Sequence, residues 1–135
     1  MGKAEQVNTV HLDTHVLVWL YIPRLDLLSS RATEILGESG NSKLAVSPMA
    51  ILELTYLKEI GRLTVDGPTL VRNLCNVIGL ETDTASLGEI VDIANGLEWT
   101  RDPFDRLIVA NAIVTRATLL TGDRSILENF SHAIW

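Results

Sequence analysis

The sequence holds a single cysteine, Cys75, in 135 residues. No intramolecular disulfide can therefore form, a Cys-rich zinc site is excluded, and a reducing compartment is the expected setting. Basic residues are also in short supply: 11 Lys and Arg stand against 17 Asp and Glu, for a formal net charge of −6 at pH 7. A broad basic patch is thus unavailable as the whole basis for binding nucleic acid. No apolar run approaches the roughly 20 residues of a membrane span. The opening MGKAEQVNT lacks the apolar core of a secretory signal, so a cytoplasmic location is expected. Repeats, low-complexity tracts and Pro/Gly/Ser-rich linkers are missing too, so residues 1–135 read as one domain with a loose segment at 1–6. Gly-x-Gly phosphate loops and Ser/His/Asp nucleophile signatures are absent as well.

What is present is enough apolar material for a core. Apolar residues make up 47% of the chain, far above the level of disordered sequences, at the length of one ordinary domain. Residues 7–12 read as a strand ending at Asp13, and 14–21 as an apolar helix. A short helix is expected over 30–38 and a strand over 44–46. Ser47 and Pro48 then supply an N-cap and a first-turn proline for a helix running to Ile60, with Gly61 as its stop. Further helices are expected over 68–78 and 84–94, with a strand at 80–82 between them. Asp102-Pro103 opens a helix that is apolar on almost every side over 107–114. TLLT, 118–121, reads as a strand before Gly122-Asp123 and a short helix, and HAIW could add an edge strand. Strands alternating with helices at this spacing imply βαβ units. The expected architecture is α/β: three layers, α/β/α, around a central, mainly parallel sheet of four to five strands.

Several acids fall where acids need a reason. Asp13 and Asp123 each follow an apolar strand, at the edge where open parallel sheets bind ligands, but either could simply cap the next helix. Asp102 and Asp105 fit the N-cap and N3 positions of a capping box. Glu53 is harder to place as decoration. On a wheel with Met49 at zero, Ile60 lies near 20°, Glu53 near 40° and Leu57 near 80°, so the glutamate falls within the apolar stripe. It needs either a buried cation such as an arginine or a functional partner. Carboxylates converging in one crevice repel each other and call for a divalent cation. A donor set of oxygens alone suits Mg²⁺ or Mn²⁺, and such a site suits phosphodiester hydrolysis.

LDTHVLVWL, the glutamate within SPMAILELTYLKEIGRL, RDPFDRLIVANAI and LLTGDRSI, in this order, closely resemble PIN-domain ribonucleases of the VapC toxin type. The likeness runs over nearly the whole chain. It implies a PIN fold and an Mg²⁺- or Mn²⁺-dependent endoribonuclease acting on an RNA substrate. It also implies restraint by a co-encoded VapB-type antitoxin. The family's metal-holding, catalytic acids fall on Asp13, Glu53, Asp105 and Asp123; Asp102 could stand behind Asp105 or trade roles with it. Apolar content and the resemblance together suggest a homodimer.

Other readings stand beside this one. A PIN-like module could bind RNA or protein without cleaving it. A receiver-type phosphotransfer domain also groups acids at strand ends, but no lysine follows a late strand here and Glu53 is left unexplained. Thr14, Ser47 and Thr121 could position water or substrate, or serve as caps. Arg106 could meet a phosphate or pair with an acid, and Lys58 and Arg62 could line a groove or a solvated face. His11, His15 and Cys75 read as structural, and Trp19, Trp99 and Trp135 as core, rim or dimer contacts that could also stack bases.

Overall fold

A computed structural model describes residues 8–37 and 42–135. The loose segment expected at 1–6, the first residue of the first strand and the last of the second helix lie outside the described residues. Five strands form one sheet: β1 (Asn8–Leu12), β2 (Ser42–Val46), β3 (Glu81–Thr82), β4 (Thr118–Leu120) and β5 (Ala133–Ile134). Their order is β3-β2-β1-β4-β5 and every pairing is parallel. HAIW does supply the edge strand. The helices are α1 (Thr14–Tyr21), α2 (Ser30–Gly37), α3 (Pro48–Glu59), α4 (Gly67–Ile78), α5 (Leu87–Ala94), α6 (Pro103–Val114) and α7 (Arg124–Asn129).

Local chemistry sets most boundaries. Ser47 Oγ accepts from the Met49 amide and Pro48 fills the first turn of α3. Asp66 caps α4 through the Thr69 amide, one residue earlier than the sequence pattern implied. Gly79 ends α4 in the left-handed region at φ 71°, which costs glycine nothing. The helix expected over 84–94 starts only at Leu87, because Ser86 is its cap and Asp83 Oδ2 holds the Ala85 amide in the preceding turn.

Along β1, Val10 and Leu12 face one side of the sheet and His11 the other. α1, α3 and α4 pack on one another, while α5 packs on α6. Ile108, Val109, Ala110, Asn111 and Ala112 are buried in succession, so α6 is enclosed all round, as its composition implied. The chain moves outward from β1 through β2 to β3, then returns to place β4 on the other flank of β1. The ends of β1 and β4 therefore adjoin at the point where the winding reverses, which is where such sheets place ligands.

Candidate active site

Asp13 and Asp123 stand at that reversal. The Asp13 amide continues the ladder by donating to Leu120 O at 3.1 Å. Its carboxylate caps α1, Oδ1 accepting from the Thr14 amide at 2.8 Å. Oδ2 accepts from Thr121 Oγ1 at 2.6 Å, and the same hydroxyl accepts from the Asp123 amide at 3.0 Å. Thr121 thus couples the two strand ends. Asp13 is only 6% exposed, and burial pushes its carboxyl above the ordinary range, against the pull of the Thr121 and Thr14 hydrogen bonds. Asp123 is exposed and caps α7 through the Ile126 amide at 3.1 Å. Both acids are caps, and both also face the cleft: Asp13, His15, Trp19, Gly122 and Asp123 line a pocket of about 270 Å³.

Glu53 sits differently from the wheel's placement. The buried face of α3 is formed by Ala50, Leu54 and Leu57, whereas Ile60 is exposed. Glu53 is half-buried on the edge of that face, where α3 meets α1 and α6. Its Oε1 accepts from Thr14 Oγ1 at 2.5 Å. Among the described residues no basic side chain pairs with it, so the buried arginine partner is not what holds it. Desolvation raises its carboxyl, opposed by the Thr14 hydrogen bond and reinforced by Asp13 and Asp102.

Asp102 and Asp105 separate into two roles. Asp102 Oδ1 accepts from the amides of Phe104 and Asp105, at 2.8 and 3.2 Å, and so caps α6. The reciprocal half of a capping box is missing, because the Asp102 amide donates to Thr100 Oγ1 at 3.2 Å. The Asp105 carboxylate takes no hydrogen bond among the described residues. It is pushed up to about 7 by burial, then by the charges of Asp102, Asp13, Asp123 and Glu53. Arg106 does not neutralise it: its Nε donates to the Thr100 carbonyl at 2.7 Å, pinning the preceding loop, and no acid pairs with it among the described residues.

The acids singled out in the sequence thus act on one another around Asp105. They do not form a finished cage: among the described residues, no three His, Cys, Asp or Glu side chains are arranged to hold a metal ion. The donor set still fits a hard divalent cation. It is all oxygen, its charges are crowded with no Lys or Arg paired to them among the described residues, and the hydrogen-bonded oxygens of Asp13, Glu53 and Asp123 each keep a second lone pair. A larger cavity, about 370 Å³ between Ala112, Ile113, Arg116, Ala117, Phe130 and His132, has no carboxylate in its lining.

A buried polar group escaped the sequence reading. His11 Nε2 lies 3.2 Å from Thr115 Oγ1 and 3.7 Å from Asp83 Oδ1, and Asn111 Nδ2 donates to Asp83 Oδ2 at 2.8 Å. Burial lowers the His11 pKa despite Asp83, so the ring is held neutral, in a structural role. Asp83 follows a strand just as Asp13 and Asp123 do; that signal was there to be read. It is not among the acids that chiefly raise Asp105. Ser47 is a cap, Cys75 packs half-buried against the core, and Lys58 and Arg62 are exposed.

A parallel α/β sheet with an acidic cleft at its winding reversal defines the class: a doubly wound α/β protein whose carboxylates gather where such sheets place ligands. The PIN domain model matches residues 10–131, and the chain belongs to the PIN domain family. It is 32% identical over 124 residues to Ribonuclease VapC22 of Mycobacterium tuberculosis (strain ATCC 25618 / H37Rv), covering 89% of this chain and 91% of that protein. Its fold is similar to a chain in the crystal structure of VapBC2 from Rickettsia felis bound to a DNA fragment from their promoter. There the TM-score is 0.67 at 20% identity, over 93% of this chain and 96% of the other. A toxin-antitoxin complex from Klebsiella pneumoniae matches with TM-score 0.63 at 17% identity, over 93% and 96% of the two chains.

Proposed function

We propose that this chain is a divalent-metal-dependent endoribonuclease and the toxin of a toxin–antitoxin pair. The observation that carries the activity is the crowding at Asp105, whose carboxyl is raised first by burial and then by the charges of four neighbouring acids. The relative named Ribonuclease VapC22 and the matched toxin-antitoxin complex support the same reading.

Asp13, Glu53, Asp105 and Asp123 would hold Mg²⁺ or Mn²⁺. The bound cation would supply charge for the phosphodiester and an activated water for its hydrolysis. Thr14 and Thr121 keep Glu53 and Asp13 oriented by donating to one oxygen of each. Four amides, those of Thr14, Phe104, Asp105 and Ile126, point helix N-termini at Asp13, Asp102 and Asp123, which favours the ionised acids a cation needs. Asp105, with no hydrogen bond to restrain it among the described residues, is the carboxylate free to turn toward a ligand.

A VapB-type antitoxin is the proposed partner, and a homodimer the proposed assembly. Leu52 and Tyr56 on α3 and Ile60, its C-cap, recur at i, i+4 and i+8 and are all about half exposed, an apolar stripe that supports pairing with another chain. No helix among the described residues is long and apolar enough to cross a membrane.

The test is incubation with structured and single-stranded RNAs in Mg²⁺, Mn²⁺ or EDTA. Internal cleavage should require the metal and disappear in Asp105→Asn. Cleavage that persists in EDTA, or no cleavage of any RNA, overturns the activity. Induced expression should arrest growth, with rescue by the product of the neighbouring small gene; indifference to expression removes the toxin role. Light scattering should give the mass of a dimer, and a monomer at all concentrations rules that assembly out.

A further inference from the structure

We propose that Trp19, backed by Trp135 and flanked by His15, is a stacking platform that holds one base of a single-stranded RNA beside Asp13 and Asp123. This rests on the ribonuclease reading of the same cleft and adds how the strand is held there.

Two of the three rings share one helix and the third comes from the far end of the sequence. His15 and Trp19 are one turn apart on α1, so they share a face, and their ring centroids are 6.0 Å apart. Trp19 lies 5.8 Å from Trp135, just beyond β5, with the rings inclined at 53°. Gly122 eases that approach: a Cβ there would come within 3.1 Å of Trp135 Cε2 and 3.3 Å of Cζ2, tighter than ordinary contact. The glycine thus lets an indole lie against the backbone one residue before Asp123.

Core packing accounts for two of the three tryptophans and not for the third. Trp99 and Trp135 pack against the central core, but Trp19 does not belong to that packing. It is half-buried and lines the pocket of about 270 Å³ together with Asp13, His15, Gly122 and Asp123. That volume lies just below the roughly 300–1,000 Å³ of sites for drug-sized ligands, the scale of a single planar base. An open indole next to carboxylates has little to gain from a cation-poor, acidic surface. A nucleobase supplies what the site lacks: a neutral aromatic face that stacks on indole whatever the base, and a connected phosphate that can reach the acids through a divalent cation. The platform also answers the charge problem, since stacking holds a strand without needing many lysines or arginines.

The experiment uses a short oligouridylate and the same oligonucleotide with one abasic residue, titrated in Mg²⁺ against protein carrying Asp105→Asn to prevent cleavage. Trp99→Phe is added so that indole fluorescence reports only Trp19 and Trp135. The oligouridylate should quench that fluorescence. One abasic substitution placed at the bound position, found by moving it along the strand, should weaken binding ~5- to 100-fold. Trp19→Ala should weaken the intact oligonucleotide by a similar factor and abolish the abasic penalty, and Trp19→Phe should restore much of both. Binding insensitive to every abasic position, or an abasic penalty unchanged in Trp19→Ala, overturns the platform. The abasic series leaves the platform itself unmodified, so it decides the matter even if Trp19→Ala fails to fold. Failure of the ribonuclease reading is a separate result: the wild-type protein cleaves no RNA, while base-dependent quenching persists and still supports the platform.

Discussion

The Thr121 hydroxyl lies 2.6 Å from Oδ2 of Asp13 and donates to it, tying the residue after β4 to the residue after β1. Both are buried, so the bond is shielded from water and holds a carboxylate whose ionisation burial opposes. Thr121→Val keeps the shape and removes both the donor to Asp13 and the acceptor for the Asp123 amide. It should cost about 1.5–3 kcal/mol, the range for hydrogen bonds to charged groups, and move Asp13 still further above the ordinary carboxyl range. Urea denaturation measures the first effect. A shift of the cleavage–pH profile to higher pH measures the second, and Thr121→Ser should return both. A valine variant matching wild type in both would show that the contact contributes nothing.

Asp102 and Asp105 should part company on substitution. Asp102 is engaged with two backbone amides at the start of α6, so Asp102→Ala should lose about 1 kcal/mol of stability. Asp102→Ser should recover it. Asp105 caps nothing, so Asp105→Asn should leave stability equal or higher while cleavage falls at least ~10²-fold, beyond the range typical for residues that merely support a metal ligand. Equal loss of cleavage in Asp102→Ala and Asp105→Asn would merge the two roles.

This division marks how far the sequence could be read. Asp-Pro at the head of an apolar run predicts the cap at Asp102 and the start of α6 correctly, because N-cap chemistry is local. The same spacing also predicts that Asp105 completes a capping box. It does not, since the Asp102 amide is taken by Thr100, a contact that no helical template contains. Glu53 shows a similar limit. Its facing is legible to within part of a turn, but whether a residue at the edge of an apolar stripe meets core or cleft depends on α1 and α6 packing beside α3. The convergence of Trp19 and Trp135 is a property of the sheet order, which brings the neighbourhood of β5 alongside α1. Asp83 repeats the strand-then-acid pattern yet joins His11 and Asn111, because only the fold decides on which side of the sheet an acid falls.

Glu53→Gln isolates a charge from a hydrogen bond. The amide oxygen can still accept from Thr14, while the repulsion with Asp13 and Asp102 is relieved. Cleavage should fall at least ~10²-fold, and melting in EDTA should stay level or rise. A marked fall in metal-free melting temperature would mean that a cation pairs with this carboxylate after all.

The crowding at Asp105 gives stability a pH dependence with a definite sign. Its carboxyl titrates at about 7 in the fold, against about 3.9 for a free aspartate. Between those values the folded state holds a proton that the unfolded state has released, so stability from this group is full at the acid end and lost as pH rises through 7. Buried His11 acts with the opposite sign, because its lowered pKa makes the unfolded state the better proton acceptor as pH falls below about 6.5. The informative quantity is therefore the difference between wild type and Asp105→Asn. In EDTA, wild type should lose stability relative to the variant as pH rises from 5 to 8. Saturating Mg²⁺ or Mn²⁺ should reverse that loss in wild type only, by binding the ionised acid. A difference that stays flat across this range would remove the coupling of Asp105 to its neighbours.

Asp83 provides the converse case, an acid at a strand end that should matter for stability and not for cleavage. Its Oδ2 accepts from Asn111 Nδ2 and from the Ala85 amide, at 2.8 and 2.9 Å. Asn111 is fully buried and its Oδ1 already lacks a partner among the described residues, so the network has no slack. Asp83→Ala strands a buried amide and the turn before α5, and should cost at least about 2 kcal/mol. His11 would also lose the Asp83 charge that favours its protonated form, lowering its pKa further and making the fold more sensitive to acid. Cleavage per folded molecule should remain near wild type, because Asp83 is engaged with His11 and Asn111 rather than with the cleft acids. Chemical denaturation and cleavage assayed on the same preparation separate the two. Stability near wild type with cleavage abolished would place Asp83 in the site and require the acid set to be redrawn.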